Sequence, residues 1–143
     1  MAIATLTGHA ASMVGRHYTV ILDNGPAMAQ NIAQSMQAAG EEYGEPLEIS
    51  RIRREDYKNH KGESQYDDIR QTGSSSSRGH QGPAAFLIMA SGLDQHGKNS
   101  SQPLPYTHLD IAGSAKMPLK YTSPGVPVIA LSGHFVLNQK IVD

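Results

Sequence analysis

Seven histidines stand at positions 9, 17, 60, 80, 96, 108 and 134 of this 143-residue chain. A zinc site needs ligands that converge, and the His-Glu-x-x-His spacing that sets two imidazoles on one helical face is absent. His108 reads as a hydrogen-bonded core histidine in the middle of a strand, and His80 as a loop residue able to reach a ligand. The chain has no Cys, which excludes a disulfide framework, a thiolate zinc site, an Fe–S cluster and a Cys nucleophile. Among the carboxylates, Asp67 and Asp68 are adjacent, so a regular strand would point them to opposite faces. Asp110 falls in an expected strand, where an acid must be paired or hydrogen-bonded. Anchoring neighbouring backbone N–H groups is the first reading of Asp110, and general-base work the second. Arg51-Ile52-Arg53-Arg54 is a small basic cluster among acids, a solvated face by default and an RNA-binding surface as the alternative. The Gly/Ser-rich run from Gly73 to Gly82 lacks the spacing of a phosphate-binding loop. Residue chemistry alone yields no catalytic site.

The elements that must position these groups read as an α/β order. Strands are expected at residues 2–7, 18–22 and 106–112, from short apolar or β-branched runs closed by Gly, Asp or Asn. Helices are expected near 27–39, 83–91 and 126–137. Met28, Ile32, Met36 and Ala39 recur near the helical period, Asn24 or Gly25 caps the start, Pro26 opens the first turn, and Gly40 stops the run. Two of the strands end alike, at Thr7-Gly8 and Ala112-Gly113. Ligands in open α/β sheets bind outside such carboxyl ends, and Gly there permits close backbone approach.

Charge gathers in the middle. Nine acids and six bases lie between Glu41 and Arg70, against 25 charged residues in the whole chain. The two flanks therefore carry the core, and the middle reads as a solvated excursion of one domain spanning 1–143, with Glu55 to Lys61 as an exposed helical turn. With 38% hydrophobic but only 6% aromatic residues, that core must be aliphatic. A net charge of −1 gives no wholesale attraction to nucleic acid or to a membrane surface. No apolar run approaches the roughly 18 residues of a spanning helix, and the N-terminus lacks the basic region of a signal peptide. A cytoplasmic setting is the expectation.

Three segments together resemble the C-terminal part of the leucine (cytosol) aminopeptidase family. Ala4-Thr5-Leu6-Thr7-Gly8 is similar to that family's Ala-Thr-Leu-Thr-Gly strand end. Tyr106-Thr107-His108-Leu109-Asp110-Ile111-Ala112-Gly113 resembles its Trp-Ala-His-Leu-Asp-Ile-Ala-Gly. Pro83 to Leu87 resembles the end of its buried Ala-rich helix. The resemblance implies a partial α/β/α sandwich with a mixed central sheet, and a hydrolase that removes N-terminal residues from peptides.

It also implies two divalent metal ions (Zn, Mn or Mg) that activate a water and polarise the scissile carbonyl, and a homo-hexameric assembly. The family's metal ligands and its catalytic Lys and Arg lie upstream of the Thr-Leu-Thr-Gly strand, so this chain is expected to hold no metal and to be inactive alone. Carried over instead are substrate-side positions: Thr5, Leu6 and Gly8, which match residues contacting the substrate's N-terminal residue, and Ala112, which matches one lining its side-chain pocket. The segment from Asp67 to Gly82 departs from the family pattern. The alternative function is a stand-alone non-catalytic module, or a decayed copy, that docks with a full-length relative.

Overall fold

The computed structural model describes residues 1–71, 76–115 and 124–138. Within them, strands β1 (Ala2–Ala4), β2 (Thr19–Asp23), β3 (Leu47–Arg51) and β4 (Thr107–Asp110) form one mixed sheet in the order β1-β4-β2-β3. β1 runs parallel to β4, β2 parallel to β3, and the central pair β2 and β4 is antiparallel. Helices α1 (Gly8–Val14), α2 (Gly25–Ala29), α3 (Ile32–Tyr43), α4 (Arg54–Lys58), α5 (Gln81–Ala90) and α6 (Val128–Ser132) complete the described frame.

Alternation along the strands sorts the side chains into two cores. Ile21, Leu47 and Leu109 face α3 and α6, where Ala33, Met36 and Ala130 close the cluster. Val20 and Leu22 face the other way, onto Ala10 of α1 and Ala84 of α5. The result is the expected α/β/α sandwich with a mixed sheet. Small residues at Ala10, Ala33, Ala84 and Ala130 let the helices approach closely, which is how a chain with few aromatics fills its interior.

Several boundaries differ from the sequence expectation. The strand expected at 2–7 ends at Ala4, because Thr7 leaves the sheet to cap α1: its hydroxyl accepts from the Ala10 N–H. The strand expected at 106–112 is Thr107–Asp110. The helix expected over 27–39 is two helices, broken where Asn31 takes a left-handed conformation at φ 56°. Asn24 caps the first of them by accepting from the Ala27 N–H, as expected. Gly40 does not stop α3, which continues to Tyr43 and ends at Gly44 in the left-handed region. A Cβ on Gly40 would lie 2.4 Å from the Glu45 carbonyl oxygen and 2.5 Å from Leu47 Cδ1, so close packing, not termination, requires glycine there. The last expected helix is α6 followed by a π-helical turn at Gly133–Leu137. Part of the Gly73–Gly82 loop, residues 73–75, lies outside the described residues; Gln81 and Gly82 open α5.

Candidate functional site

Parallel pairing of β1 with β4 places Ala4 opposite Asp110 and brings both strands to the same carboxyl edge. There the Asp110 carboxylate, fully buried, organises the crossing of the two motifs. Its Oδ1 accepts from the Leu6 N–H at 3.3 Å and the Ala112 N–H at 3.0 Å. Its Oδ2 accepts from the Thr7 N–H at 3.2 Å and the Thr7 hydroxyl at 2.5 Å. Four donors on one carboxylate fix the Leu6-Thr7 turn to the end of β4. This is the anchoring role expected of an acid in that strand.

Beside this edge opens a cavity of about 510 Å³. Ala4 and Leu6 form one wall, and the first turns of α5 (Gly82, Pro83, Phe86, Leu87) form another. Its polar margin carries Asn59, Gln71 and Arg78. Arg78 is held by Asp56, which receives its Nε at 2.5 Å and its Nη2 at 2.7 Å. Asp56 is buried in α4, so the helical turn expected to be exposed has one face committed to this ion pair.

Of the expected substrate-side residues, Leu6 lines the cavity. Thr5 and Gly8 lie exposed on the same strand end and at the start of α1. Ala112 is buried and tied by its N–H to Asp110, away from the cavity lining. Gly113 packs under the α1–β2 connection, where a Cβ would meet the Gly15 carbonyl oxygen at 2.9 Å. Its backbone approaches protein there, which accounts for glycine without a ligand.

The histidines fall into separate environments. His108 is fully buried, with Nδ1 3.2 Å from the Tyr106 hydroxyl, and burial lowers its pKa. His60 Nδ1 donates to the Arg70 carbonyl at 2.8 Å while its ring packs beside Phe86. His80 meets His9, Nδ1 to Nδ1, at 2.8 Å, and its Nε2 lies 2.8 Å from the Ser50 hydroxyl. Sequence reasoning missed this pair, and so did it miss Asp56 with Arg78. His9 and His80 are 71 residues apart, on α1 and ahead of α5, and no local spacing marks such a contact.

A model of the cytosol aminopeptidase family, catalytic domain, matches residues 1–132. The chain belongs to that family. A curated relative from Caenorhabditis elegans, named "Putative aminopeptidase W07G4.4", is 46% identical over 134 residues, covering 90% of this chain and 26% of that protein. The solved structure of a tomato leucine aminopeptidase mutant shares the fold, with a TM-score of 0.72 at 22% identity over 95% of this chain and 24% of that one. The chain thus spans about a quarter of the length of each.

The family uses metal ions, and the described side chains do not fit them. Among the described residues no three His, Asp or Glu converge on one point. Asp110, the one acid at the shared strand edge among the described residues, has both oxygens occupied by protein donors, and His9 and His80 are spent on each other. Among the described residues no helix is long and apolar enough to cross a membrane.

Proposed function

We propose that this chain is a portion of a metal-dependent aminopeptidase that removes N-terminal residues from peptides. In this reading it supplies the substrate side of the pocket, while the metal ligands come from elsewhere in the catalytic domain. Leu6 is on the cavity wall, Thr5 and Gly8 are exposed at the same edge for the substrate's N-terminal residue, and Ala112 backs that edge through Asp110. The observation that carries the reading is the Asp110 clamp. It makes one rigid edge out of two segments more than a hundred positions apart, with a largely apolar cavity opening beside it. A fixed, concave, mostly apolar surface is what orients a peptide terminus for reaction. The intact protein would be a cytoplasmic homo-hexamer acting on peptides, with no role for nucleic acid or membrane.

The test is hydrolysis of a leucine chromogenic amide in the presence of Mn²⁺ or Zn²⁺. The chain alone should give no turnover. Co-expression with the remaining portion of a relative's catalytic domain should give turnover. A complex that forms yet stays inactive would favour the non-catalytic docking module instead. Turnover by the chain alone would show that the chemistry has been placed wrongly.

A further inference from the structure

His9 and His80 meet where three elements converge. His9 is the second residue of α1, His80 immediately precedes α5, and the Ser50 that holds the far side of His80 belongs to β3. The two rings stack with centroids 5.0 Å apart and planes inclined by 27°. His80 is entirely buried, whereas His9 is only partly so. The fit is tight: a Cβ on Gly79 would stand 2.7 Å from the His9 Cβ.

The proton count at this contact is limited. A bond between two Nδ1 atoms needs one N–H and one lone pair. With both rings neutral, either His80 donates to His9 and accepts the Ser50 hydroxyl proton, or it accepts from His9 and donates to Ser50. Ser50 tolerates both, with Gln81 Nε2 donating to it at 3.2 Å. One extra proton can still be placed, because one charged ring can donate to one neutral ring. Two extra protons set N–H against N–H across 2.8 Å, and the bond is replaced by repulsion between two cations.

We infer that the His9–His80 contact is a proton-operated latch, which holds α1 against the start of α5 while the pair carries at most one extra proton and releases it when both rings are charged. The charged groups facing His80 are His9 from α1, Asp110 from β4, Asp56 from α4 and Arg78 from the turn before α5. Burial, the His9 charge and the Arg78 charge together outweigh Asp110 and Asp56, which favour a charged His80 ring. Burial first, then the His9 charge, pushes His80 down to about 4. The latch is therefore closed at neutral pH and opens in acid. Leu6 and Gly79, both on the cavity wall, lie just before its two halves, so opening loosens that wall.

The experiment is amide hydrogen exchange of the full chain by mass spectrometry, with rates corrected for the intrinsic effect of pH. Between pH 6.5 and 4.5 exchange of α1 should accelerate at least tenfold, while α3 stays unchanged. In His9→Asn the amide can donate to or accept from His80 but cannot charge, and the acceleration should fall below threefold. No acceleration in the wild type, or an equal one in His9→Asn, overturns the latch. If His9→Asn does not fold, the wild type decides through its imidazole ¹⁵N signals. Two separated protonation steps, with α1 amide shifts following the second, support the latch. Two independent, coincident titrations refute it.

Discussion

Asp110 shows how far one side chain can govern an edge. Replacing it with Asn leaves one oxygen where two now receive four donors, and it turns a charged acceptor into a neutral one. Asp110→Asn should lower unfolding free energy by about 3 kcal/mol in urea titrations, and Thr7→Ala by about 1–2 kcal/mol, since it removes both a cap and a partner. Asp110's role was legible in the sequence because a carboxylate in a strand has few other fates. The partner of His80 was not, because nothing local announces it. His80 also gives the chain a pH dependence with a definite sign. Folded, it is held at about 4 by burial and by His9, against 6.5 ordinarily. An unfolded chain takes up that proton near 6.5, so stability is complete above this value and declines as pH falls toward 4. The loss approaches about 3 kcal/mol. Urea midpoints at pH 7, 5.5 and 4.5 should fall in that order, and His80→Phe should flatten the series.

At the scale of elements, periodicity located the helices better than it located their ends. α5 was legible because an apolar run after Pro83 can only be buried helix. β3 was not, since Glu48 and Arg51 sit among its apolar residues and resemble the charged stretch around them; as an edge strand it turns them to solvent. α1 was hidden by its own first residue, a glycine that read as the end of a strand. The break at Asn31 depends on Asp23, whose Oδ2 accepts from the Ala33 N–H at 2.8 Å and so starts α3 anew. Asp23 lies in β2, ten residues before Ala33, and helical periodicity over 27–39 gives no sign that a strand-end carboxylate interrupts it. Gly40 and Gly8 offer a paired test. Gly40→Ala should cost about 1–3 kcal/mol despite alanine's better helix propensity, because the added methyl meets Glu45 and Leu47. At Gly8 a Cβ meets nothing within 4 Å, so Gly8→Ala should be neutral or stabilise by up to about 1 kcal/mol. Thermal unfolding of the two variants side by side decides it.

For the molecule as a whole, the sheet order has a consequence in time. β4, one of the two central strands, is the last of the four in sequence, and Ala2 is in register with His108. By contrast β2, α3 and β3 follow one another closely and share the Ile21, Met36 and Leu47 cluster. Closing a short loop costs less entropy than closing one that spans most of the chain. Pulse-labelled exchange during refolding should therefore protect β2, α3 and β3 before any amide of β1 or β4; simultaneous protection of all four strands would contradict this order. On a ribosome the same geometry is a matter of sequence of arrival. Ala2–Ala4 emerges well before its neighbour in the sheet, which does not exist until residues 107–110 have been made. A nascent chain must carry that apolar segment unpaired throughout, which makes it the stretch where chaperone binding or mis-pairing would begin.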